Sequence, residues 1–395
     1  MNKSEEFVYN LCQRSFFRLW SYPNPRKKDS HKELCDIIVV CGNNVLLISV
    51  KEILIKESGD YSVDLNRWIR KAVDASVSQL YGADRILKTM TDVIASGGEK
   101  AIELPDITVR NIYRIAIALG DREKYPLKSG DFGSGLVHVF DEIAWFIIIN
   151  ELDTIKDFTD YLHAKEALLE NMKILFSGEE DLLAYYLSHD CKFDLPIKDG
   201  LKGNLFIEEG IWKEFSDSDE YKEYRKELEP SYAWDRIINI LLSDYFSGRF
   251  IEPIGLKELD IVLRLMALEG RGNRLYLSEG LLDYFKKTDR IRSRVLNSPS
   301  GIIYVVLATE RWLDRELRRA ELLLRCMVIR TKVDSPEIIG LATEKIDRKK
   351  SYSIDIAYLN LPVITDELLA KIQKGQKELN LFDRNIDKTR KDNKL

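Results

Sequence analysis

The chain lacks several features that would narrow its function at once. Its five cysteines, Cys12, Cys35, Cys41, Cys191 and Cys326, are scattered and odd in number. None forms a CxxC pair and several lie in apolar runs, which argues against a cysteine metal site or redox pair and predicts reduced core thiols in a cytoplasmic protein. No apolar run approaches the ~20 residues needed to cross a bilayer. The N-terminus also lacks the apolar core of a signal peptide. A cytoplasmic chain without a membrane partner is expected. Internal repeats and low-complexity linkers are missing. With a formal net charge of −5 the chain has no overall attraction to nucleic acid, so such a partner has to meet a local basic surface. The run Gly130-Asp131-Phe132-Gly133-Ser134-Gly135 precedes strand-like residues and not a helix N-terminus, which excludes a phosphate-cradling nucleotide loop. His31 stands in a loop with no second histidine near it, so spacing gives it no ligand role.

What is present is a 395-residue chain, 45% hydrophobic and 32% charged, the balance of a soluble globular protein long enough for two domains. The stretch that organises it is Glu33–Glu52, ELCDIIVVCGNNVLLISVKE. Two β-branched, nearly continuous apolar runs, Ile37–Val40 and Val45–Ile48, flank Gly42-Asn43-Asn44, which is a hairpin signal. Runs apolar on both faces predict strands covered on both sides, in the middle of a layered α/β domain. Asp36 opens the first strand. Side chains alternate along the second, so Ser49 and Lys51 share a face while Ile48 and Val50 take the other. Burying an uncompensated charge costs several kcal/mol, so Asp36, Ser49 and Lys51 are expected to converge on something.

Asp36 followed by Ser49-Val50-Lys51 resembles the metal-dependent PD-(D/E)XK nuclease superfamily, in which an Asp and an (Asp/Glu)-X-Lys sit on adjacent strands. The resemblance covers the N-terminal half. It implies a restriction-endonuclease-like mixed sheet flanked by helices, with a Glu-bearing helix before the hairpin and a further helix after it. It further implies Mg2+ or Mn2+ as cofactor, with Asp36 holding the metal and Lys51 orienting or activating the attacking water. Ser49 departs from the family's acid, so one ligand is weakened or comes from elsewhere; Glu33 is a candidate replacement carboxylate. Residues 4–20 have helical spacing, with Val8, Leu11, Cys12, Ser15 and Leu19 in one stripe and Ser4 as N-cap. Glu5 sits at the edge of that stripe and Glu6 is turned further out; either is the helix carboxylate, and both also suit a helix's first turn. After the hairpin one helix is predicted from Asp64 to about Ile94, ending before Gly97-Gly98. Its Gln79-Leu80-Tyr81 resembles the Gln and Tyr that frame the site in several nuclease families. The implied activity is hydrolysis of phosphodiester bonds in nucleic acid, with DNA favoured over RNA and a role in antiviral defence by analogy with bacterial relatives. The alternative is a nuclease fold that only binds nucleic acid or a protein partner, and Ser49 favours it.

Basic groups that suit a nucleic-acid backbone are Arg26, Lys27 and Lys28 in the loop before the hairpin, Arg67, Arg70 and Lys71 on the following helix, and the run Tyr284–Arg294 with Arg271 and Arg274. Asn111–Leu119 reads as a strand and Val137–Ile149 as one or two more. Thr154 and Asp157 form a helix cap, with Asp153 read as a capping residue. The character changes near 170–180, which gives a nuclease-like domain over 1–172 and a C-terminal domain over 173–395, helical and then α/β. In the latter, Glu310–Val328 is an amphipathic helix with Arg311, Arg315, Arg318 and Arg319 outward. A sensing, partner-binding or dimerisation role is assigned to it by position alone.

Overall fold

The computed structural model describes residues 1–96, 101–120, 125, 127–193, 203–248, 256–287, 293–345 and 353–382. The chain divides into two compact units: residues 1–227 with 267–271, and residues 228–266 with 272–395. The expected boundary at 172/173 lies inside the first of these, at the end of a helix that continues into a strand.

In the first unit α1 (Lys3–Phe16) leads into β1 (Ser21–Pro23), β2 (Ile37–Cys41) and β3 (Asn44–Glu52). Then come α2 (Tyr61–Trp68), a π-helical turn over Ile69–Asp74, α3 (Ala75–Leu87), and the short pair β4 (Asp92–Ile94) and β5 (Ala101–Glu103). Next are β6 (Asn111–Leu119), β7 (Gly130–Asp131), β8 (Leu136–Asp141), α4 (Glu142–Glu151) and α5 (Ile155–Asn171). The unit closes with β9 (Met172–Leu175), α6 (Glu179–Ser188), β10 (Gly203–Phe206), α7 (Ile211–Asp217) and α8 (Asp219–Glu227). Among the described residues, six strands form one mixed sheet in the order β1-β2-β3-β6-β8-β7. β1, β2 and β3 are antiparallel neighbours, while β3, β6 and β8 run parallel. Gly42 makes the β2–β3 turn with φ +61°, a conformation that glycine adopts without a Cβ clash. Both strands are buried on both faces. Ile38 and Val40 of β2 and Val45 and Leu47 of β3 pack under the π turn and α3, beside Trp68, Ala72, Val73, Val77 and Leu80. The alternate face is covered by α1 and α4.

Several local expectations need correction. Ser4 does not cap α1. Asn2 does, its side chain accepting from the Glu5 amide while Glu5 answers in a capping box, and the helix ends at Phe16 because Phe17 takes φ +65°. The helix after the hairpin starts at Tyr61, capped by Asp60, and breaks at the π turn. It ends at Leu87, before β4 takes up Asp92–Ile94. Gly97 and Gly98 lie outside the described residues. The apolar run Val137–Ile149 is half strand and half helix: Asp141 accepts from the Ile143 and Ala144 amides and starts α4. Asp153 is no cap, for it pairs with Arg271 at 2.7 Å. Thr154 caps α5 as expected, accepting from the Asp157 amide. Four cysteines are buried and Cys191 is exposed. Burial pushes the Cys12 and Cys35 thiols well above their usual range, which keeps them protonated.

The second unit holds α9 (Tyr232–Phe246), α10 (Leu256–Ala267, its last residue counted with the first unit), α11 (Arg271–Lys286, its first residue likewise), β11 (Ser293–Asn297) and β12 (Ile303–Thr309). They are followed by α12 (Arg315–Arg330), β13 (Glu337–Glu344), β14 (Ile354–Asn360) and α13 (Asp366–Glu378). Its sheet has the order β11-β12-β13-β14, with β12 and β13 parallel. α12 packs on one face through Leu322, Cys326 and Ile329. Its arginines are not all outward. Arg318 is fully buried, and Arg315, Arg318 and Arg319 all donate to Asp355 of β14. Of the expected basic patch near 271–294, Arg271, Arg274, Lys287 and Arg294 are likewise spent on ion pairs. Arg271 and Arg274 are buried and bound to Asp153 and Asp235, Arg294 binds Asp283 at 2.6 Å, and residues 288–292 lie outside the described residues.

Candidate active site

The site grows out of the hairpin register. Ile37 pairs with Ile48, and the Asp36 amide extends the ladder by donating to the Ile48 carbonyl at 3.1 Å. That sets Asp36 opposite Ser49, on the face that looks toward α3. Lys51 lies on the same face two residues further, at the carboxyl ends of the parallel strands β3 and β6, which is where open α/β sheets bind ligands.

Asp36 is 4% exposed and Ser49 is fully buried. The Val50 amide donates to Asp36 Oδ2 at 2.5 Å, and Lys51 Nζ approaches the same oxygen at 3.4 Å. Lys51 Nζ also donates to the Val50 carbonyl at 3.2 Å. From α3, Gln79 reaches down with both ends of its amide: Oε1 accepts from the Ser49 hydroxyl at 2.7 Å, and Nε2 faces Asp36 Oδ1 at 3.4 Å. Asp36, Ser49, Lys51 and Gln79 are therefore one connected network, with the lysine side chain 31% exposed at its open end.

The helix carboxylates behave differently. Both Glu5 oxygens are taken by Asn2, whose amide and side chain donate at 2.9 and 2.8 Å, so Glu5 completes the capping box on Asn2 and does not reach Asp36. Glu6 is exposed. At the far end of α1's first turn, the Ser4 hydroxyl binds Glu52, the residue after Lys51. Glu33 is exposed at the edge of this network, beside Asp36. Partial burial, the neighbouring Asp36 and Glu5 charges and a hydrogen bond with Asp36 raise its carboxyl above the usual range, with Arg26 only partly offsetting them. Glu33 thus feels the charge of both acids, and Arg26, expected to meet phosphate, faces Glu33. The 26/33 bridge that closes the intervening loop is a tertiary pairing with no signature in composition. Lys28 pairs with Asp92 at 3.1 Å and Arg67 with Asp64 at 3.2 Å, while Arg70 and Lys71 are exposed on the π turn. Tyr81 is core. Its hydroxyl donates to the Gly135 carbonyl at 2.6 Å and accepts from the Phe132 amide at 3.1 Å, pinning the loop before β8 away from the site.

Among the described residues, no three His, Cys, Asp or Glu side chains gather closely enough to hold a metal ion. What does converge is a pair of hard oxygens, Asp36 Oδ2 and the Val50 carbonyl, on one ammonium, with the Glu33 carboxyl beside them. Oxygen donors already gathered on a cation suit Mg2+, which takes one or two carboxylates and fills its remaining positions with water and substrate phosphate.

No family model, no curated protein and no solved structure matches the chain. Among the described residues no helix is long and apolar enough to cross a membrane.

Proposed function

We propose that the first unit is a divalent-metal-dependent nuclease of the PD-(D/E)XK type that hydrolyses phosphodiester bonds, with DNA the favoured substrate. The observation that carries this reading is the meeting of Asp36, the Val50 carbonyl and Lys51 at the end of a doubly buried hairpin, under Gln79 of the following helix. The order of parts agrees with the resemblance: a helix with first-turn acids, the hairpin, then a helix bearing the glutamine. The mixed sheet flanked by helices suits a restriction-endonuclease-like fold.

Asp36, the Val50 carbonyl and Glu33 would hold Mg2+ or Mn2+. Bound there, the metal supplies Lewis-acid stabilisation of the charge that develops on the phosphoryl oxygens. Lys51, whose ammonium rests on the same two oxygens, swings on its exposed stem to donate to the attacking water and to steady the hydroxide as it forms. Gln79 clamps the second Asp36 oxygen and so fixes the carboxylate's angle. Ser49 holds Gln79 in turn, in the place where the family carries an acid, which leaves the site one negative charge poorer.

That exchange favours a second reading, a nuclease fold that binds nucleic acid without cutting it, because the Ser49 hydroxyl is spent on Gln79 and not on the cation position. Incubating the chain with DNA and RNA in Mg2+ or Mn2+, with and without chelator, separates the two. Cleavage by the wild type, lost with chelator and reduced roughly 10^3-fold in Asp36→Asn and Lys51→Met, is expected. Nucleic acid bound but left intact under every metal condition selects the second reading. Cleavage retained in both variants removes the mechanism.

A further inference from the structure

In the second unit α9 and α11 lie over the sheet face opposite α12, Trp234 standing edge-on to Tyr304 and the Ala308 amide donating to the Tyr284 hydroxyl at 2.7 Å. Between the helices and the sheet is a cavity of about 190 Å3. Its floor is Val306, Leu341 and Ile354, from three adjacent strands, and Ile237 and Phe285 wall it. Two polar residues break this apolar lining. Thr343, 7% exposed, carries a buried hydroxyl oxygen with no hydrogen-bond partner. Arg236 stands exposed at the rim, with no ion pair to a described residue. Of the acids on the flanking helices, Asp235 is bound to Arg274, and Asp283 to Lys287 and Arg294.

A buried hydroxyl without a partner costs free energy that a ligand can return, and an apolar pocket with a few placed polar groups is the usual form of a small-molecule site. The chemistry of the lining narrows the ligand. Thr343 adds a donor, Arg236 a fixed positive charge, and the remaining surface is hydrocarbon. A cavity of roughly 150 Å3 takes up benzene, so one of about 190 Å3 has space for a single ring or short chain and one compact head group. We propose that this cavity binds a small monocarboxylate with an apolar body, its carboxylate set between the Arg236 guanidinium and the Thr343 hydroxyl. The proposal does not rest on the nuclease reading of the first unit.

The test is titration of the full chain with benzoate and hexanoate, and with toluene as the uncharged control, followed by calorimetry. Saturable carboxylate binding, of roughly millimolar affinity for ligands this small, is expected. Arg236→Ala should weaken benzoate about tenfold and leave toluene unchanged, and Thr343→Val should weaken benzoate about tenfold while raising the melting temperature of the ligand-free chain. Ala233→Leu, which fills the cavity from α9, should remove binding of every probe. Ala233 is half-buried and Arg236 exposed, so both variants keep the fold, which the melting temperature verifies. No saturable carboxylate binding, benzoate no tighter than toluene, or affinities unmoved by these three substitutions would overturn the assignment.

Discussion

Asp36 in the first unit and Asp355 in the second are both almost withdrawn from solvent, at 4% and 1% exposure, yet their surroundings are opposite. Asp355 collects three guanidinium groups, from Arg315, Arg318 and Arg319. Its neighbour Glu344 takes Arg318 at 2.9 Å and the Ser353 hydroxyl and amide at 2.7 Å each. Asp36 has the Val50 amide at 2.5 Å, one lysine at 3.4 Å and a long contact to Gln79, with the Glu33 carboxyl beside it. An acid that serves the fold gathers cations until its burial is compensated. An acid with fewer cations, beside a second acid at the carboxyl end of parallel strands, is the arrangement on which the proposed metal site rests.

Substitutions can break that contrast or sharpen it. The largest effect belongs to Asp36→Asn, which keeps an acceptor for the Val50 amide. Cleavage should fall roughly 10^3-fold, about 4 kcal/mol, with a melting temperature close to wild type. An unfolded Asp36→Asn would place Asp36 in the same class as Asp355. Asp355→Ala strands three arginines, two of them mostly buried, and should cost about 3–5 kcal/mol in urea denaturation. Glu344 is third. Burial pushes its carboxyl up, but the Ser353 and Arg318 hydrogen bonds outweigh this and bring it down to about 2 from 4.5. Its contribution is present above the ordinary carboxylate range and lost as pH falls through about 2. Glu344→Gln should therefore be less stable at neutral pH, the gap to wild type closing across that acid interval. Ser49→Ala breaks the link to Gln79 and should cost about 1 kcal/mol, together with a slower cleavage rate. Glu33→Gln gives the smallest change and the opposite sign. Its carboxyl is raised, so the folded chain holds that proton more tightly than the unfolded one. That stability is present at low pH and lost as pH rises through the folded value. The variant should melt higher than wild type at neutral pH and equally in acid, and it should gain less from added Mg2+.

Much of the candidate site was legible in the order of residues. Asp36, Ser49 and Lys51 were placed by two-residue alternation along strands whose apolar runs admit no other covering, and Gln79 by the resemblance of Gln79-Leu80-Tyr81 to the nuclease families' helix. Glu5 was legible only as a first-turn acid, because whether it reaches Asp36 or closes a capping box depends on where α1 begins, and Asn2 settles that two residues before the expected cap. The strand-to-helix change at Asp141 was hidden because α4 is apolar round most of its circumference, so no period distinguishes it from the strand it follows. A cap aspartate inside the apolar run was the available signal. Arg271, Arg274 and Arg318 read as surface charge since their partners lie 118, 39 and 37 residues away in sequence.

The sequence by itself determined the doubly buried hairpin, the turn at Gly42 and the face on which an acid, a hydroxyl and an amine stand, because strand alternation and burial are local consequences of residue order. Only the tertiary structure decided which charges are spent. The Lys51 ammonium sits on Asp36 and the Val50 carbonyl, Glu33 and not Glu5 crowds that carboxylate, and three arginines close over Asp355. Charge pairing of that kind is set by which distant strands and helices the core brings within about 4 Å, a distance no local pattern encodes.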